Sequence, residues 1–97
     1  MAESETIAEA YDKAVFLELA AVSTPLTVYS ITTVIRNRYS GPSHNAPTQY
    51  AIGLVANSLT RLVNDGRAIR TLVDDNGLTL EAFQLAPLER LSLEAAE

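Results

Sequence analysis

Apolar residues recur through the first part of the chain at three- and four-residue intervals: Ile7, Tyr11, Ala14, Val15, Leu19 and Val22. That spacing lines one face of an amphipathic helix, because side chains three or four apart sit one above the other. Ser4 or Thr6 supplies its N-cap, and acidic residues in its first turns match the helix dipole. Ser23-Thr24-Pro25 ends it, since proline lacks the interior donor and restricts the residue before it. A second stretch keeps the rhythm at Val28, Ile31, Val34, Ile35 and Tyr39. Its β-branched residues suit a strand equally well, but the spacing, and a length of about 12 residues, select a helix. The run SGPSHNAP, 40–47, then breaks the pattern as the one sizeable loop.

Pro47 suits the first turn of a third helix, where its missing N–H costs nothing. Ile52, Val55, Leu59, Leu62 and Val63 form that helix's apolar stripe. At about 100° per residue, the opposite face collects Tyr50, Gly53, Leu54, Asn57, Arg61 and Asn64. Asn64-Asp65-Gly66 is a helix stop, with Gly66 supplying a left-handed cap. Two apolar runs, RAIRTLV and LTLEAFQL, flank Asp74-Asp75-Asn76-Gly77. Asn-Gly between such runs predicts a β-hairpin, because both residues accept positive φ. Pro87 opens a short final helix with Leu88, Leu91 and Leu93 on one side. No internal repeat or linker divides the chain.

At 97 residues, 47% of them hydrophobic, the chain has material for one small core, and self-association is a natural supplement to its stability. Residues 1–97 read as one domain, with 1–5 and 94–97 frayed. The absence of cysteine excludes disulfides and thiolate chemistry and fits a reducing compartment. The acidic N-terminus lacks the layout of a signal peptide, and no apolar run approaches the ~20 residues of a membrane span. The expectation is a cytoplasmic protein without membrane contact.

The net charge of −5 is unevenly spread. Residues 1–20 set Glu3, Glu5, Glu9, Asp12 and Glu18 against Lys13, and 73–97 set six carboxylates against Arg90. Between them, Arg36, Arg38, Arg61, Arg67 and Arg70 face Asp65 alone. Screening makes the local charge the relevant one, so a basic middle is compatible with a polyanionic partner.

The segment SLTRLVNDGRAIRTLVDDNGLTLEAFQL resembles the recognition-helix-plus-wing segment of winged helix-turn-helix transcription regulators. Ser58, Leu59, Arg61, Leu62, Gly66, Ile69, Arg70, Gly77 and Phe83 fall on that family's pattern. With the two preceding helices the resemblance covers roughly 25–85. It implies an α+β, mostly α fold: three helices, a β-hairpin wing and a short C-terminal helix. It also implies that the third helix lies in the major groove of double-stranded DNA. Thr48, Gln49, Tyr50, Gly53 and Asn57 are then the base-facing candidates, since Asn and Gln bond adenine bidentately and glycine permits close approach. Arg61, Arg67, Arg70, Arg36 and Arg38 are the phosphate-contact candidates. A homodimer through helix one and the C-terminal helix is expected, because those acidic segments are too negative to face DNA. The alternative is an acidic winged-helix module that binds and modulates another protein without touching DNA, a reading favoured by Asp74 and Asp75 at the hairpin tip.

Catalysis is not expected. His44 is the one histidine, and a single imidazole without cysteines builds no typical zinc site. Ser40, Ser43 and His44 lack the third group that orients a nucleophile and base. No phosphate-binding glycine loop is present, and Asp74-Asp75-Asn76 is explained by a turn rather than a calcium loop. No cofactor, metal or effector is expected.

Overall fold

The computed structural model describes residues 6–40 and 49–95. In chain order its elements are α1 (Ile7–Ala21), β1 (Leu26–Thr27), α2 (Val28–Ser40), α3 (Gln49–Asn64), β2 (Ala68–Asp75), β3 (Leu78–Leu85) and α4 (Pro87–Ala95). The described chain is therefore α+β and mostly helical, in a layout compatible with a winged helix. Pro47, Thr48, His44 and the expected loop beyond Ser40 lie outside the described residues.

Of the two cap candidates, Thr6 takes the position at α1. Its Oγ1 accepts the Glu9 N–H at 3.0 Å, and its own N–H donates to Glu9 Oε1 at 2.9 Å. This reciprocal capping box satisfies two donors that the first turn would leave open. The backbone N–H of Thr6, then its hydroxyl, holds the Glu9 carboxyl below the usual carboxylate range. At the other end α1 stops at Ala21, with Val22 extended. No basic residue occupies that last turn. Arg90 of α4 takes the role instead, donating to the carbonyls of Leu19 at 3.0 Å, Ala20 at 2.9 Å and Val22. A cation there meets both the unpaired carbonyls and the negative end of the dipole.

Segment 28–40 is helical, as its spacing predicts, but its buried stripe is rotated. Ile31, Thr32 and Ile35 face inward, while Val34 is 41% exposed. Thr32 is tolerated inside because its Oγ1 donates to the Val28 carbonyl at 2.7 Å, leaving no unpaired hydroxyl. Just upstream lies an element that the sequence pattern did not show. Leu26 and Thr27 form a two-residue strand against Phe83 and Ala82 of β3. Thr27 also accepts the Ser30 N–H at 3.2 Å, so one residue both ends a strand and caps a helix.

α3 buries Ala51, Val55, Ser58, Leu59 and Leu62; Ile52 and Val63 are half-buried. Its exit is a Schellman turn. Arg67 N–H reaches the Leu62 carbonyl at 2.9 Å, Gly66 N–H reaches Val63 at 3.0 Å, and Gly66 sits at φ +78°. The hairpin then turns on Asn76 and Gly77, at φ +54° and +84°, the pair of positive angles that a two-residue loop needs to follow the strand twist.

The sheet is antiparallel in the order β1-β3-β2. Its inner face presents Leu26, Ala68, Phe83 and Leu85 to Val15 and Leu19 of α1, Ile31 and Ile35 of α2, and Val55, Leu59 and Leu62 of α3. Of the three leucines expected on one side of the final helix, only Leu93 packs against this core; Leu88 is 78% exposed and Leu91 59%. At 100° per residue Leu93 lies about 140° from Leu88, and the Arg90 clasp decides which side turns inward. No helix among the described residues is long and apolar enough to cross a membrane.

Candidate nucleic-acid interface

α3 is held from behind by its buried stripe, so its opposite face is fixed in orientation and open. Gln49, Tyr50, Gly53, Asn57 and Thr60 are all exposed there, Tyr50 by 70%. They fall within an arc of about 100°. From Gln49 to Asn57 the helix rises about 12 Å, comparable to the width of a B-DNA major groove. The face is uncharged. A Cβ added at Gly53 would meet nothing within 4 Å, so no neighbouring segment of the described chain requires the glycine. Thr60, which sequence reasoning passed over, completes the face seven residues beyond Gly53. Its hydroxyl donates to the Ala56 carbonyl at 3.0 Å. The i, i+7 spacing is the signal that could have found it.

The arginines are placed differently from the base-facing candidates. Arg61, expected on the outward face, is half-buried and turned toward α1. Its Nε and Nη2 bond Asp12 Oδ1 at 3.1 and 2.7 Å, with Nη2 also reaching Ser58 Oγ at 3.1 Å. Burial alone would push the Asp12 carboxyl up. The hydrogen bonds from Arg61 and Ser58, with the Arg61 charge, outweigh it and hold the carboxyl below its usual range. The same contact raises the Arg61 guanidinium. Arg38 pairs with Glu18, a carboxylate buried on α1. Arg67 meets Glu89 of α4 at 3.3 Å and lies 4.4 Å over the Phe16 ring. Arg70 sits 3.7 Å from Glu81 on the neighbouring strand and 5.6 Å from the Phe83 ring. For Arg67 and Arg70 the partners are thus Glu89 and Glu81, not the nearer-in-sequence Asp65 and Asp74. Arg36 is half-buried on α2.

The basic middle of the sequence is therefore folded against the acidic ends. Asp12 and Glu18 come from the first twenty residues, Glu81 and Glu89 from the last twenty-five, and each meets one cation of the middle. These pairs differ in strength. Bidentate geometry and partial burial hold Arg61, and a buried carboxylate holds Arg38. The Arg70–Glu81 pair is long and half-exposed, a geometry worth little. Among the described residues no three metal-ligating side chains cluster. No protein-family model matches the chain, and no curated protein matches it.

Proposed function

We propose that this chain is a winged-helix DNA-binding module, a transcriptional regulator that reads double-stranded DNA with the exposed face of α3. The observation that carries the reading is that face itself: uncharged, rigidly backed, rich in amide and hydroxyl groups, and smoothed at its centre by a glycine that no packing in the described chain requires. Gln49 and Asn57 supply the bidentate donor–acceptor pairs suited to adenine, and Gly53 lets the helix axis approach the base edges. Arg70 can turn to phosphate at small cost, since its Glu81 partner is distant and exposed, and Arg67 can do so by giving up one 3.3 Å contact with the half-buried Glu89 and its place over the Phe16 ring. Arg61 and Arg38 instead fix α3 and α2 against α1, so their role is positional.

This division gives the reading a measurable signature. Two phosphate contacts correspond to a slope of log affinity against log salt of roughly −2, shallow for a DNA-binding protein. Selection from a random duplex pool, followed by fluorescence anisotropy of the enriched duplex across salt concentrations, tests it. An enriched sequence, that shallow slope, and its further flattening in Arg70→Ala are expected. No enrichment, with no binding even at low salt, would defeat the proposal.

A second reading is favoured by the ion pairs. With Arg38, Arg61, Arg67 and Arg70 matched to carboxylates, the chain offers a polyanion little net attraction, which suits an acidic module that docks on another protein through the same α3 face. Failure of the duplex experiment would leave this reading standing.

A further inference from the structure

β3 is flanked by β1 on one side and β2 on the other, so among the described residues the outer edge of β2 pairs with nothing. Which backbone groups it presents follows from the turn. A two-residue loop closes on a hydrogen-bonded pair, here Asp75 with Leu78, and such pairs alternate along an antiparallel ladder. The phase is the same at the far end, where Ala86 N–H donates to the Arg67 carbonyl at 2.9 Å. Arg70, Leu72 and Asp74 therefore direct their N–H and C=O groups away from β3, toward the open edge. All three are exposed, Leu72 by 66%. The edge has no proline, lysine or bulge to blunt it.

We infer that this edge is a self-complementary interface, with β2 of a second copy of the chain adding antiparallel to it so that Leu72 faces Leu72 across a two-fold axis. In that register Arg70 of each copy lies opposite Asp74 of the other, on one face of the joined sheet. The three pairs all fall at the positions whose backbone groups are free, so each exchanges both N–H···O=C bonds. On the other face Thr71 meets Val73 twice, pairs of β-branched residues suited to strands. Neighbouring symmetric registers are worse. Centring on residue 71 or 73 sets Leu72 against Arg70 or against Asp74 and loses both opposite-charge pairs, centring on residue 70 sets Arg70 against Arg70, and centring on residue 74 sets Asp74 against Asp74. A slip by one residue pairs free groups with groups already committed to β3. Charge thus selects one alignment out of the few that the hydrogen bonding permits. The loose Arg70–Glu81 contact leaves the guanidinium able to turn toward the edge. The interface does not require that α3 bind DNA, although it draws on Arg70, which the proposed phosphate contact also uses, and it places association on β2 instead of on α1 and α4.

Charge reversal at the two positions tests the register. Arg70→Asp gives a chain with acidic residues at both positions, and Asp74→Arg a chain with basic residues at both. Sedimentation equilibrium should show a dimer for the unaltered chain and dimerisation weakened roughly tenfold or more in each variant. An equimolar mixture of the two variants restores opposite charges at both pairs and should recover the dimer, as should the double swap. Circular dichroism would show both variants folded, since neither side chain is buried. Leu72→Cys gives a direct readout. Hydrogen-bonded partners sit about 5.5 Å apart between Cα atoms, inside the disulfide window, and the chain has no other cysteine; oxidation should yield a covalent dimer. A chain that stays monomeric at millimolar concentration overturns the inference, as do variants that still dimerise, or a mixture that does not recover. A dimer abolished by Leu91→Asp and untouched by Arg70→Asp would place the contact on α4 and overturn it equally.

Discussion

Replacing Gly53 by alanine separates what α3 does for the fold from what it does for a partner. Glycine in a helix interior is less favourable than alanine by about 0.8–1 kcal/mol. That difference is commonly offset when the glycine admits a neighbour. Here a Cβ would meet nothing within 4 Å, so the propensity gain should be realised almost in full. For a domain of this size, 1 kcal/mol moves the melting temperature by about 4–8 °C. Gly53→Ala should therefore melt about 3–8 °C above the natural chain by circular dichroism or calorimetry. If the α3 face enters a groove, the same methyl lies where the helix approaches the bases, and affinity for a selected duplex should fall about tenfold, with the larger loss in Gly53→Leu. A variant that melts lower would refute the open environment of residue 53. A variant that melts higher and binds DNA unchanged would refute the use of this face for recognition.

Three other perturbations probe the contacts that position the site. Arg90→Ala removes the clasp on the end of α1; two of its bonds are partly buried, so a loss of about 2 kcal/mol, or about 8–16 °C in melting temperature, is expected, with partial recovery in Arg90→Lys. A shift under 2 °C would show that water caps α1 as well. Arg38→Ala strands the buried Glu18 carboxylate and should cost about 1–3 kcal/mol in urea unfolding, a loss reduced when Glu18→Gln is added; equal losses in the single and double variants would deny the pair. Asp12 has its carboxyl held low in the fold, so its contribution is complete above the unfolded carboxylate value of ~4 and drains away as pH falls through the lower folded value. The stability gap between the natural chain and Asp12→Asn should accordingly be constant from pH 7 to 5 and close toward pH 2–3; a gap that persists in acid would assign it to shape instead of charge.

The parts of this fold legible in the sequence are those with local causes. The stripe of α3, its stop at Gly66 and the turn at Asn76-Gly77 each depend on residues within a few positions of one another, so spacing and backbone preference suffice. β1 was not legible because two residues carry no periodicity; Leu26 and Thr27 become a strand only when β3 arrives from more than fifty residues away. The rotation of α2 escaped for a related reason. A buried Thr32 looks polar in the sequence, and only its bond to the Val28 carbonyl makes it an inside residue. The open face of α3 could be anticipated from the stripe behind it, whereas the direction of Arg61 could not, since Asp12 lies 49 residues earlier. A coarser signal was present: acidic ends around a basic middle are what a chain shows when its segments neutralise one another, as well as when its middle awaits a polyanion.

The clasp of Arg90 also sets a schedule for the chain as it is made. The carbonyls of α1 wait for a donor about seventy residues downstream, an interval of roughly 4–14 s at the usual pace of synthesis. Three of the guanidiniums that α1 collects emerge in a fixed order: Arg38 for Glu18, then Arg61 for Asp12, then Arg90 for the helix end. Each arrival discharges a cost of the preceding stage, first a buried carboxylate, then a half-buried one, then the open turn. α1 is thus the first of the described helices to be synthesised and among the last to be secured, and a chain of which residues up to 61 but not 90 have left the ribosome should carry it paired but open at its C-terminal end.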